Sequence, residues 1–158
     1  VAWMREGQAS AALIAGMWSL LGFMVMASPI LWRGVLARYA GGTPMALACT
    51  ATGVGTLLPI LVPGPLGALA SAFVFGGCFF MGPASVTAFG RHNLPEPQWG
   101  ASIALFTSIF AVGQLIGPVA AGYISDLTDD LTLGLMIAGA TLVLAGAMAA
   151  FQKPLTVR

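Results

Sequence analysis

Gln114 is the most polar side chain within the long uncharged stretches of this sequence, and Thr107 lies seven residues before it. Seven residues make about two helical turns, so the pair shares one face with Phe110 and Ala111 between them. A second stripe at the same spacing is formed by Ser71, Cys78 and Ser85, with Phe75 and Gly82 filling it. Phe79 and a mid-stretch Trp18 add apolar surface. Amide, hydroxyl, thiol and ring can hold a ligand by hydrogen bonds and contact, whereas proton transfer needs a titratable group at the site. The competing structural reading is that the hydroxyls bond back to their own helices and Gln114 bridges two helices.

Catalysis and metal binding are poorly served. A membrane hydrolase needs a nucleophile beside a base, and neither a His nor a carboxylate falls in any uncharged stretch. The single histidine, His92, stands between Arg91 and Asn93, and a metal site requires several convergent ligands. Cys49 and Cys78 both fall within apolar stretches, where a free thiol behaves as a small hydrophobe. The reading is no enzyme, no metal and no cofactor. A net charge of +1, spread over several loops, excludes nucleic acid as a partner.

The elements carrying these side chains are set by charge placement. Charged residues are 7% of the chain and apolar ones 58%, against roughly 25% and 45–50% in soluble domains. Every charge falls in one of five islands: Arg5-Glu6, Arg33 to Arg38, Arg91 to Glu96, Asp126 to Asp130, and Lys153 to Arg158. About 20 apolar residues cross a hydrocarbon core of about 30 Å. The stretches 7–32, 97–125 and 131–152 each fit one crossing, and 39–90 fits two, divided by Pro63-Gly64-Pro65-Leu66-Gly67. Helices satisfy every backbone group in lipid, and the runs lack the alternation of barrel strands. The expected fold is all-α, a polytopic transmembrane bundle with five spans near 9–32, 43–62, 66–89, 98–124 and 131–152.

Lys and Arg concentrate on cytoplasmic loops. Arg33, Arg38, Arg91, Lys153 and Arg158 collect on one side, which places residue 1 outside and the C-terminus in the cytoplasm of a bacterial (plasma) inner membrane. Trp3, Trp32 and Trp99 fit the interfacial aromatic belt. The chain begins with Val1, on the outer side and without a signal-peptide pattern, which reads as a piece of a longer protein. Gly113 and Gly117 have the spacing that lets membrane helices approach closely, and Pro118 and Gly122 follow them. Ser19 and Pro29 have the same separation as Ser108 and Pro118, a faint echo expected of inverted repeats.

Three segments carry a family resemblance. The segment after the first span, Gly34-Val35-Leu36-Ala37-Arg38-Tyr39-Ala40-Gly41-Gly42, resembles the G-x-L-a-D-r-x-G-r loop of the major facilitator superfamily. Gly34, Leu36, Ala37 and Gly41 match, while Arg38 stands at the acidic position and Tyr39 and Gly42 at basic ones. GQLIGPVAAGYISD from Gly113 to Asp126 looks like the Gly-Pro-rich eleventh helix of those transporters. FGGCFFMG at 75–82 adds similarity to the bacterial YbfB/YjiJ type. The resemblance implies that the chain is a partial C-terminal six-helix bundle, its spans equivalent to helices 8–12 of twelve. It also implies that the third and fourth spans face a cavity, with the N-terminal half of the same protein as the missing partner.

Two functions follow. The first is a secondary transporter of a small solute by alternating access, its pathway residues Gln114, Thr107, Ser71, Cys78, Phe75, Phe79 and Trp18. Any proton-coupling acid would then lie upstream, since no span holds one. The alternative is a non-transporting multi-pass membrane subunit or anchor.

Overall fold

The computed structural model describes residues 10–128 and 131–155, and all of its regular structure is helical. The first helix, α1 (Ala11–Arg38), starts at Ser10, whose hydroxyl accepts from the Leu13 N–H at 3.2 Å. Ser, with its short polar side chain, satisfies one of the orphan N–H groups there. At 28 residues α1 is about 42 Å long, more than a hydrocarbon core requires. Its last turns therefore carry charge, and the helix continues past the expected end at 32. Of the motif residues, Gly34, Leu36, Ala37 and Arg38 are helical, and Gly41 lies with Tyr39, Ala40 and Gly42 in the connection to α2 (Thr43–Leu61). Placing the first four in a loop is thus corrected: a break at Arg33 is unnecessary once the helix leaves the apolar layer.

The Pro63-Gly64-Pro65 cluster turns the chain as expected. Gly64 has φ +96°, a conformation that side-chain-bearing residues avoid. Pro65 then opens α3 (Pro65–Cys78), its missing N–H costing nothing at a helix start. The third span proves to be two helices in one crossing. The α-helix is interrupted at Phe79-Phe80 and resumes as α4 (Met81–Asn93). Pro83 lacks the N–H that a continuous helix would offer to the Phe79 carbonyl, so the interruption lies where an i−4 bond is lost. A 3-10 turn (Glu96–Gln98) leads into α5 (Trp99–Thr128), and α6 (Leu131–Ala150) completes the five crossings. Arg5, Glu6, Trp3, Asp129, Asp130 and Arg158 lie outside the described residues.

Packing centres on α2, which runs against α6 on one side and α3 on the other, while α1 packs on α3. Small residues make this possible, because lipid offers no hydrophobic drive and helices gain mainly by close van der Waals approach. A Cβ on Gly53 would stand 2.8 Å from the Gly139 carbonyl oxygen, and one on Gly146 would meet the Thr50 hydroxyl and, at 2.9 Å, the Ala46 carbonyl. The backbones of α2 and α6 thus touch. A Cβ on Gly55 would stand 3.0 Å from the Phe75 amide nitrogen, and one on Gly76 2.7 Å from the Leu21 carbonyl oxygen, so α3 lies close to both α2 and α1. By contrast, a Cβ on Gly113, Gly117 or Gly122 would meet nothing within 4 Å. The close contacts among the described residues are therefore made by other glycines than the pair at motif spacing.

Candidate functional site

Where α3 gives way to α4, the backbone is left short of helical partners, and Trp32 of α1 reaches across to it. Its indole N–H donates to the Gly77 carbonyl at 2.9 Å. A membrane interior has no water to take that role, so a neighbouring side chain must. The contact holds α1 against the interruption near Pro29, the one proline inside α1.

Beside this contact lies a cleft of about 520 Å³. From α1 it is lined by Val25, Ser28, Pro29, Arg33 and Leu36, and from the interruption and the start of α4 by Phe80, Met81 and Ala84. Its walls are mostly apolar. Ser28 is buried and its hydroxyl is already committed, donating to the Val25 carbonyl at 2.7 Å. The remaining polar group is the Arg33 guanidinium at one end. Arg38 and Arg91 have aromatic partners, Tyr39 at 5.7 Å and Trp99 at 5.1 Å, whereas Arg33 has no bonded, ionic or ring partner among the described residues. None of the pathway candidates named from sequence lines this cleft, although Leu36 of the motif segment and Pro29 of the Ser-Pro echo do. A signal was present in Pro29, inside the continuous α1, and in Pro83, beside the interruption of the third span, but only the packing of α1 against the start of α4 makes a cavity.

Two of the three aromatic candidates, Phe75 and Phe79, form a cluster with Phe80. Phe75 and Phe79 stack with centroids 5.1 Å apart, and Phe80 meets Phe79 edge-on at 5.2 Å. Offset stacking and edge-to-face contact are the arrangements the ring quadrupole favours. Ser71 and Cys78 are half-buried on the same helix. The third member of that stripe, Ser85, falls on α4 beyond the interruption, and its hydroxyl donates to the Met81 carbonyl at 2.5 Å. Trp18 is 53% exposed on the N-terminal half of α1, away from that cluster in sequence and on a different helix.

Thr107 and Gln114 sit in the middle of α5, both exposed. The helix packs on α4 near its start and on α6, and neither side chain hydrogen-bonds another described residue. The bland expectation divides accordingly. Ser28, Thr52, Thr56, Ser85, Thr87, Ser108 and Thr141 all bond back to carbonyls of their own helices. Gln114 bridges nothing.

At the basic end of the bundle one residue missed from sequence ties three segments together. Asn93 is 3% exposed; its amide donates to the Ala40 carbonyl at 2.7 Å and to the Phe89 carbonyl at 2.8 Å, and its Oδ1 accepts from the Leu155 N–H at 2.6 Å. The Gly42 N–H donates to the Gln152 carbonyl at 2.8 Å beside it. The α1–α2 connection, the end of α4 and the tail after α6 are thus one unit.

A bundle with five apolar crossings, one of them interrupted mid-span, and a clamped basic face is compatible with a membrane transporter. The family model described as "Uncharacterised MFS-type transporter YbfB" matches residues 1–150. The chain belongs to that family. No curated relative and no solved structure matches it. Membership in this transporter family accounts for the resemblance carried by Gly34 to Gly42, 75–82 and Gly113 to Asp126, and it makes this chain a multi-pass membrane protein of transporter type.

Proposed function

We propose that the chain forms helices 8–12 of a twelve-helix secondary transporter that moves a small solute by alternating access, with its basic face in the bacterial cytoplasm. The observation that carries this reading is the uncommitted polar face of α5. Gln114 and Thr107 lie near the centre of a 30-residue span and hydrogen-bond no other described residue, although hydroxyls on this and other helices, Ser108 and Thr52 among them, bond back to their own helices. A polar group at that depth in lipid costs free energy and normally faces a cavity or a partner. In a transporter the cavity between the two halves supplies that environment, and substrate sites lie near the midplane. Ser71, Cys78, Phe75 and Phe79 of α3, and Trp18 of α1, are the further candidates for the pathway. The aqueous path would pass their helices in one of the two states.

The test is flux of a panel of labelled small solutes into proteoliposomes holding the intact protein. Gln114→Leu should cut accumulation of the transported solute at least tenfold, while Ile116→Leu, about 200° around the same helix, should leave it unchanged. Equal flux in Gln114→Leu would overturn the assignment of this face. A well-folded protein that moves no solute would favour a non-transporting membrane subunit.

A further inference from the structure

The cleft between α1 and α4 differs from the α5 face in what it can recognise. Its walls are apolar, its buried Ser28 hydroxyl already donates to the Val25 carbonyl, and its single available polar group is Arg33 at one end. A polar solute would find no hydrogen-bonding surface there. The ligand that fits has an apolar body and one anionic end.

Depth narrows the choice. From Val25 to Leu36 α1 rises about 16–17 Å, close to half of a hydrocarbon core of about 30 Å, so the cleft spans one leaflet. Arg33 lies five residues before the end of α1, near enough to the boundary for its long side chain to reach the headgroup layer. The cleft is also bounded by helix surface that lies within the bilayer, where phospholipid is the permanent neighbour. Basic pockets between transmembrane helices on the cytoplasmic side bind anionic headgroups. Arg38 and Arg91 each lie over an aromatic ring, which leaves Arg33, among the described residues, as the arginine available to a phosphate.

We propose that this cleft is a binding site for an anionic phospholipid of the basic-side leaflet, with an acyl chain between α1 and α4 and the phosphate on Arg33. The interruption at Phe79-Phe80 creates the space, because a continuous helix would carry Phe80, Met81 and Ala84 along a straight wall. An acyl chain there packs on Pro29 and against the ring of Phe80. The bound lipid thereby covers the weak point of the third span without competing for the polar face of α5.

The experiment is native mass spectrometry of the detergent-purified protein titrated with phosphatidylglycerol or chain-matched phosphatidylcholine. The wild type should hold phosphatidylglycerol about fivefold more tightly, the factor given by about 1 kcal/mol per basic side chain near the surface. Arg33→Gln should erase that preference, and Arg38→Gln, whose guanidinium lies on Tyr39, should keep it. Ala84→Leu fills the cleft without touching the charge and should weaken both lipids. Equal affinity for the two lipids in the wild type, or a preference that survives Arg33→Gln, would overturn the assignment. Saturable octanoate binding with no retained phosphatidylglycerol would give the cleft to a soluble amphipathic anion and would also overturn it.

Discussion

Replacing Asn93 tests how the basic end of the bundle is held. In Asn93→Leu the side chain keeps similar bulk but loses its amide, so packing and hydrogen bonding separate. Three bonds disappear: those to the Ala40 and Phe89 carbonyls and that from the Leu155 N–H. A typical hydrogen bond contributes about 0.5–1.5 kcal/mol net, and a buried group left unpaired costs about 1–3 kcal/mol. Phe89 retains the ordinary helical partner, and Leu155 is exposed, so water can replace the bond to its N–H. The Ala40 carbonyl carries most of the penalty. The expected loss is therefore about 2 kcal/mol, which for a chain of this size lowers the melting temperature by about 4–8 °C. Thermal unfolding in detergent measures it, and amide exchange gives a local readout: the Leu155 N–H, protected in the wild type, should exchange at the rate of an open tail. Unchanged melting together with unchanged Leu155 protection would refute the clamp.

Other outcomes follow from the same geometry. Gly146→Val places a side chain against the Thr50 hydroxyl and Ala46 carbonyl and should cost about 1–3 kcal/mol or more by overpacking, whereas Gly117→Ala should leave melting in detergent unchanged within about 0.5 kcal/mol. Trp32→Phe removes the donor to the Gly77 carbonyl and should lower stability by about 1 kcal/mol, with faster amide exchange at residues 79–81 as the local readout. Gly64→Ala forces a side chain into φ +96° and should cost about 1–3 kcal/mol by the same unfolding assay.

Much of the fold is legible in the sequence because electrostatics in lipid is unforgiving. Charges cannot sit in the hydrocarbon, so the islands at Arg33 to Arg38, Arg91 to Glu96 and Asp126 to Asp130 mark the crossings directly. The ends of α1 and α5 are less legible, since a helix that has left the apolar layer continues at no penalty through Arg38 or Thr128. Glycine packing is harder still. With 21 glycines in the chain, the GxxxG pair Gly113 and Gly117 stands out by spacing, yet the backbones touch at Gly53, Gly139 and Gly146, which only the pairing of α2 with α6 selects. Asn93 reads as an ordinary loop residue beside Arg91 and His92 until the tail brings Leu155 to it. The Arg33 cleft needs the interruption at Phe79-Phe80 to meet the Pro29 to Leu36 stretch of a different helix. Gln114 is the opposite case: its polarity in an apolar stretch was visible at once, and the structure leaves that amide without a partner among the described residues.

The most direct measurement of the central claim is sided thiol accessibility at Gln114. With Cys49 and Cys78 replaced by Ala in the intact protein, Gln114→Cys and Ile116→Cys are exposed in turn to a membrane-impermeant thiol reagent in right-side-out and inside-out vesicles. Alternating access predicts that Gln114→Cys is modified from both sides and Ile116→Cys from neither. Protection of Gln114→Cys from both sides, equal to that of Ile116→Cys, would contradict the account.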